Sequence, residues 1–531
     1  MTDEMAGTAA HNEPWRLSKI EHLFRRTSLF RWTLRNAVPG GLITSFHDHW
    51  RGKANSGAKI MTSGSHWRLS GNDFDRFDWL RDLRSYGGSQ ARSRARMLIS
   101  TWIEDHESWD YHGWHPEIMA SRLANLVFSY GWYGSSAEET FQNRLAGSLR
   151  LQARCLALDW QRLYRPEARL TALKGLFVAE AALGVETPEL DALIDLLVPL
   201  VEGRLNADGG HISRMPNVHL GVMRDLIEIR AVGASRQITH ITWLDMIIAK
   251  MAAICRMWRH ADGQFARFNG AGLTDPEIIE ETLTVGGQKG KVLQQARDTG
   301  FLRFSSGRST VIMDCGTPNT EAAVTSLSSL AFEFSVGQHL LVVNPGQTAP
   351  EANLQRLLES TKAHSTLTLD GHNNSEPAVG RIAKVSSLEM GAAEGGFLIT
   401  ASHNGYETSH GIIHQRTLYL ATGGASLRGS DRLDYTGAPG EIGRLAILRF
   451  HLHPRVSAAM LNDQRVLIKI RGNRAGWLFR SNGTVTLDNS LFFDLHGRMN
   501  CQQIVVTMPI DNIRTVGTID IKWAFHRSDP S

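Results

Sequence analysis

Asp208-Gly209-Gly210-His211-Ile212-Ser213-Arg214-Met215-Pro216-Asn217-Val218-His219 is the stretch from which the fold can be read outward in both directions. Two glycines before His211 let the backbone turn sharply. Pro216 then stands where a first-turn proline is tolerated, since its missing N–H would have had no helical partner. A helix therefore starts at Pro216, and His211, Arg214 and Asn217 fall at its N-terminus, where unpaired N–H groups and the helix dipole attract anions. A carboxylated sugar suits such a place. The plainer alternative is that His211 caps the helix and Arg214 pairs with an acid such as Asp225.

Around this stretch, from about Asp73 to Trp258, apolar residues recur at helical spacing in segments punctuated by Gly, Pro and Asn. Gln90 to Ile103, Pro116 to Tyr133, Ala137 to Trp160, Glu167 to Ala182, Pro188 to Leu205, Pro216 to Val232 and Gln237 to Trp258 read as helices. So many helices with short connections describe a solenoid, a bundle or an α/α toroid. A second string, running from His260 to Gly270, turns after a long helix and offers Arg267 and Asn269, although Asp262-Gly263 and Asn269-Gly270 are also ordinary turn makers. A third, Trp114-His115-Pro116 with Arg122 further down the following helix, sets an aromatic ring beside a guanidinium. That pairing can hold a sugar face and its carboxylate, and core packing explains the tryptophan equally well.

Beyond about Phe301 the pattern becomes short runs rich in Val, Ile, Thr, Leu and Phe between turn residues, which suits a large antiparallel sandwich. Helices segregated from strands make a multidomain α+β chain, an N-terminal incomplete (α/α) toroid followed by a C-terminal antiparallel β-sandwich. The expected boundaries are a lead-in over 1–72, the helical part over 73–270, a connector over 271–300 and the sheet part over 301–531. Histidine-bearing segments cluster in the sheet part: His364, His403 with Tyr406, His414 with Arg416, then His451 and His453. They could form a site or a metal cluster, and a solvated strand face would also account for the last two.

Composition narrows the classes further. The 531 residues exceed one hydrophobic core, while 42% apolar and 21% charged residues are ordinary globular values. A net charge of +4 with basic residues scattered along the chain favours no nucleic-acid partner, but leaves room for a basic groove facing a polyanion. The four cysteines are far apart and suggest neither a zinc ribbon nor a disulfide framework. A polar, acidic N-terminus and the lack of an ~18-residue apolar run point to a cytoplasmic chain without a membrane span, or an exported one if the N-terminus has been trimmed.

Taken together, Gly209, Gly210, His211, Arg214, Pro216 and His219, the Asp262-Gly263 turn with Phe268 and Asn269, Leu330 to Phe334 followed by Val343 to Gly346, and Ala363-His364-Ser365-Thr366 resemble the heparinase II/III-like polysaccharide lyases. The resemblance runs from about Phe77 to Phe525. It implies β-elimination on a uronic-acid-containing glycan, with the active site in the cleft between toroid and sheets. That chemistry needs a neutralised carboxylate to stabilise the enolate-like charge. It also needs a base for the C5 proton and an acid for the leaving oxygen. The resemblance assigns His211, Arg214, Asn217, His364 and Tyr406 to catalysis, and Trp114, His115, Arg122, Arg267, Asn269, His403, His414 and Arg416 to substrate binding. It departs from the family where Val324 to Ser328 stands for a His-x-His-x-Asp string, where Asn344 replaces a zinc-binding Asp, and where Phe265, Phe268 and Phe301 occur without a catalytic tyrosine. No cofactor is required on this reading, and the family's zinc is not expected. The partner is an acidic polysaccharide or oligosaccharide, and homodimerisation stays open. Two other functions fit the same scaffold: a non-catalytic acidic-glycan-binding or exopolysaccharide-assembly protein, and a toroid-type hydrolase using Glu117 and Asp208, which would require paired carboxylates.

Overall fold

The computed structural model describes residues 15–34, 44–63, 74–287, 289–319, 326–346, 351–437, 444–472, 476–494 and 497–528. The N-terminal 14 residues, and the first part of the Val324 to Ser328 stretch, lie outside them. The chain divides into two compact units: residues 1–204 with 221–249, and residues 205–220 with 250–531. This differs from a division at 270/301. The Asp208 string and the His260 turn belong with the strands, because their side chains are bonded to sheet residues, as described below.

In the first unit, buried apolar faces dictate the helices. Pro116–Tyr133 opens on its proline, closes at Gly134 and is buried along most of its length. Pro166–Ala182 packs against it so closely that a Cβ on Gly175 would lie 2.5 Å from the Ala120 carbonyl oxygen. Polar groups that cannot reach water pair internally. Lys174 Nζ sits 2.8 Å from Asp225 and 2.7 Å from Glu228, and Glu228 also accepts from Trp50 Nε1. Arg25 Nη2 lies 2.7 Å from Asp159, with a second contact from Nη1.

In the second unit, residues 276–285, inside the expected connector, form the helix Pro276–Val285 capped by Asp275. Two antiparallel sheets follow. A 9-stranded sheet runs in space from Gln295–Ala296 through Phe301–Ser306, Ser309–Asp314, Phe332–Val336, His339–Val343, Leu445–Leu452 and Gly497–Pro509 to Thr484–Asp494, with Leu367–Leu369 pairing on Leu445–Leu452. An 8-stranded sheet runs Val456–Met460, Val466–Ile470, Gly476–Ser481, Thr518–Ser528, Ser426–Tyr435, Ile412–Ala421, Gly396–Tyr406, Val385–Ala393. One core joins their inner faces, with Phe332, Phe334, Phe450, Phe479, Trp523 and Phe525 at its centre. The strand Ile412–Ala421 alternates strictly: His414, Arg416, Leu418 and Leu420 point in, while Gln415, Thr417 and Tyr419 point out. Such alternation is the sequence signature of a half-buried strand.

Two inward polar side chains of that strand join a fully buried network. Arg416 Nε and His414 Nε2 each lie 2.7 Å from Asp431 Oδ1, and Trp523 Nε1 donates to Asp431 Oδ2 at 2.8 Å. Arg416 Nη1 crosses to the carbonyls of Leu330 and Ser365, so it ties the 8-stranded sheet to the loops of the other. The protons are determined. Gly405 N donates to His403 Nδ1, so His403 carries its hydrogen on Nε2 and donates to His414 Nδ1, which leaves His414 Nε2–H for Asp431. Burial would raise the Asp431 carboxyl, but Arg416 and His414 hold it well below the carboxylate range; burial lowers both imidazoles.

Arg416→Met leaves Asp431 in the core without its cation, and breaking a buried pair from one side costs about 3–5 kcal/mol. Urea unfolding of the full chain should show that loss. The double variant Arg416→Met/Asp431→Asn should recover part of it, and equal losses in single and double variants would refute the coupling.

Candidate functional site

The Asp208 string takes its shape from the two glycines. Gly209 adopts φ 91, and a Cβ on Gly210 would stand 1.8 Å from Thr299 Oγ1, so only glycine fits. The turn aims Arg214 into the sheet unit. Its Nε donates to Thr299 O at 2.8 Å and Nη1 to Thr317 O at 3.1 Å, Nη2 pairs with Asp314, and the guanidinium lies over Phe301 at 4.9 Å. Asn269 Nδ2 donates to Arg214 O at 3.1 Å. His211 Nδ1 meets Ser213 Oγ at 2.8 Å. Thus Arg214 pairs with Asp314 and not with Asp225, which belongs to Lys174. Asn217 is half-buried at the start of Pro216–Ser235, with no hydrogen bond recorded to its Oδ1.

Other residues assigned to catalysis or binding are also committed to the interior. The Tyr406 hydroxyl donates to Leu367 O at 2.9 Å, and burial pushes its pKa up, so it offers no proton acceptor at neutral pH. His364 Nε2 meets Ser326 Oγ at 2.9 Å, and burial lowers it to about 4. His403, His414 and Arg416 form the network described above. In the first unit Arg122 is fully buried, donating to Gln152, Asp75 O and Gly113 O and lying over Trp102 at 4.1 Å. Each of these side chains makes at least one hydrogen bond to the protein, while none is recorded for His364 Nδ1 or Arg416 Nη2. His115 is the N-cap of Pro116–Tyr133, its pKa lowered by burial.

The zinc position tests the same way. Asn344 Oδ1 accepts from Ser365 N at 3.1 Å, and His451 is held between Ser490 Oγ at 2.7 Å and Lys362 O at 3.2 Å. An amide and two imidazoles so engaged do not fit a zinc shell, which asks for thiolate, imidazole and carboxylate donors converging on one point. Among the described residues, no group of three His, Cys, Asp or Glu converges as a metal site.

Of the residues assigned to catalysis or binding, Arg267 and Trp114 line cavities, one in each unit, and His453 of the histidine-bearing segments joins Arg267. In the sheet unit a polar pocket of about 420 Å³ takes Arg267, Asp262 and Gln264 from the His260 turn, with His453, Arg455 and Phe492 from the strands. The turn is anchored because Glu333 accepts from Arg267 N at 3.1 Å and faces His260 Nε2 at 3.1 Å. Arg267 is stacked over Phe492 at 3.9 Å and donates from Nη1 to Phe493 O, while its Nε has no hydrogen bond recorded. Burial lowers this guanidinium to about 10, and burial with Arg267 and Arg455 lowers His453 to about 4, so His453 is neutral at pH 7. A forked cation beside a neutral imidazole can grip a carboxylate and accept a proton. Sequence reasoning missed His339, Arg455 and Phe492, whose only signal is their place at strand ends. In the helical unit, Trp114 lines a pocket of about 330 Å³ with Arg31, His106, Arg144, Arg150 and Arg154.

Residues 288–524 match the model of the family described as heparinase II/III-like, C-terminal. Heparinase III is similar in fold at a TM-score of 0.70 and 13% identity, over 95% of this chain and 89% of that one. Heparan sulfate lyase HepC of Pedobacter heparinus, as a mutant, matches at 0.66 and 15% identity, over 94% of this chain and 88% of that one. The fold is therefore the heparinase toroid with antiparallel sheets. FtsZ-localized protein C of Caulobacter vibrioides is 27% identical over 474 residues, 86% of this chain and 81% of that protein.

His219, His364, His451 and His453 are lowered from 6.5 to about 3 to 4, chiefly by burial. The unfolded chain takes up these protons first, so stability is full above pH 6.5 and is lost as pH falls toward 4. The urea midpoint should be lower at pH 5 than at pH 7.5, and His451→Gln should flatten that slope. A midpoint independent of pH over this range would refute the assignment.

Proposed function

We propose that this protein is a non-catalytic member of the lyase scaffold, which associates with FtsZ and holds an acidic glycan, or its anionic precursor, in the Arg267 pocket. The observation that carries this reading is the engagement of the groups an elimination would use. Arg214 is spent on Asp314, Tyr406 on the Leu367 carbonyl and His364 on Ser326. The similarity to a protein called FtsZ-localized over most of both chains supports the FtsZ association. No zinc is needed, since Asn344, His364 and His451 are occupied with protein partners.

A second reading is favoured by one observation, the neutral His453 beside Arg267. If the pocket retains β-elimination, Arg267 would neutralise the uronate carboxylate, His453 would take the C5 proton, and the resulting imidazolium would return it to the leaving oxygen.

Two measurements separate the readings. The full chain should co-sediment with FtsZ polymers and stay in the supernatant when FtsZ is left out, and failure to co-sediment removes the first part of the proposal. Incubated with a panel of uronate polymers, it should generate no ultraviolet absorbance from an unsaturated uronate. Absorbance that appears and is abolished by His453→Ala would establish the second reading instead.

A further inference from the structure

The outer face of the 8-stranded sheet carries a cavity that neither reading uses. The strand register aligns four outward residues in one row across four strands. Tyr419 pairs with Arg428, Arg428 with Ala524, and Ala524 with Arg480. Ala524 is small and buried 6% exposed between the two arginines, which leaves a notch with guanidinium walls. With neighbouring strands about 4.8 Å apart, the roots of Arg428 and Arg480 stand roughly 10 Å apart. The next row brings Thr417, Ser430 and Lys522 alongside. The cavity measures about 470 Å³.

Three cations meet here with little to neutralise them. Among the described residues, no carboxylate pairs with Arg428, Arg480 or Lys522, although Arg432 on the same strand does pair with Asp434 at 2.8 Å. Asp520 is the nearby acid, and it is met by Ser430 Oγ at 3.4 Å. Arg428 lies over the Tyr419 ring at 5.6 Å, on the side of its strand away from Ala524, so its guanidinium forms the outer wall of the groove. His526, at the end of the same face, is lowered by burial and then by Arg480 and Arg428, a further sign of concentrated positive potential.

We propose that this groove binds an acidic saccharide, its carboxylate or sulfate groups held by the Arg428 and Arg480 forks on either side of Ala524. A planar fork suits two-oxygen anions, and the charge-assisted bonds are about twice as strong as neutral ones. The hydroxyls of Thr417 and Ser430, which line the same cavity, supply partners for the ring hydroxyls of the ligand. A single-stranded nucleic acid is a poorer match, since base stacking needs a run of open aromatic faces and this groove has one ring, already covered by Arg428. The groove is built by strands other than those lining the Arg267 pocket, so the inference holds whether that pocket binds, cleaves or does neither.

The test uses the full chain and a fluorescently labelled, heparin-derived hexasaccharide followed by anisotropy. Arg428→Ala/Arg480→Ala should weaken binding by about tenfold or more, a loss of about 1.4 kcal/mol or more. Arg428→Lys/Arg480→Lys should restore part of it, because charge returns without the fork. Maltohexaose, uncharged and of equal length, should not compete. Arg267→Ala separates the two sites: a loss confined to that variant would move saccharide binding to the pocket and overturn the groove. Unchanged affinity in the double alanine variant at an unchanged melting temperature also overturns it. An oligothymidylate of equal charge that displaces the hexasaccharide at lower concentration would overturn the saccharide class.

Discussion

Carboxylates removed from water govern this structure. Asp314, Glu333 and Asp431 are each 0–1% exposed, on strands at the centre of the sheet unit. An unpaired charge in such a place costs more than a domain can spare, so each must find donors. Asp314 takes Arg214, with Asn269 approaching at 3.4 Å. Glu333 takes His260, the Arg267 backbone and the Asn344 backbone. Asp431 takes Arg416, His414 and Trp523. The donors for the first two come largely from the Asp208 string and the His260 turn, which is why these loops belong to the sheet unit despite lying between helices in the sequence.

The same constraint explains which parts of the fold could be read in advance. Helix and strand types followed from apolar periodicity: Pro116–Tyr133 and Ile412–Ala421 fall where their patterns place them, because one face of each is buried over its full length. Strands that escaped are those whose burial is partial or polar. Ser426–Tyr435 reads Ser-Leu-Arg-Gly-Ser-Asp-Arg-Leu-Asp-Tyr, a turn-like composition, yet it is a central strand. Its Asp431 is satisfied by residues far along the chain, and Gly429 is there because a Cβ would meet Trp523 at 2.1 Å. Val385–Ala393 is an edge strand, largely exposed, with little apolar signal to give.

The site was legible in kind but not in placement. Arg, His, Asn and Tyr near glycine turns are what a sugar-acid site requires, and also what a buried polar network requires. Spacing alone cannot distinguish an arginine that faces a ligand from one that faces Asp314. Arg267 lines a cavity because its turn ends at one. Arg428 and Arg480 were missed because they lie far apart in sequence, and only the register across Thr518–Ser528 brings them onto either side of Ala524.

How a polar group is satisfied therefore bears directly on what this scaffold can do. Catalysis by proton transfer needs a group whose donor or acceptor is left over for the substrate, with a pKa near the working pH. Tyr406 fails on both counts, since its hydroxyl is given to a backbone carbonyl and burial carries its pKa away from neutrality. Binding makes no such demand. A guanidinium stacked on Phe492 or leaning over Tyr419 keeps its charge and part of its fork at neutral pH, and can grip an anion without exchanging a proton. A fold that turns Tyr406, His364 and Arg214 to its own interior while Arg267 lines a cavity fits the proposed binding role more closely than proton transfer by those groups.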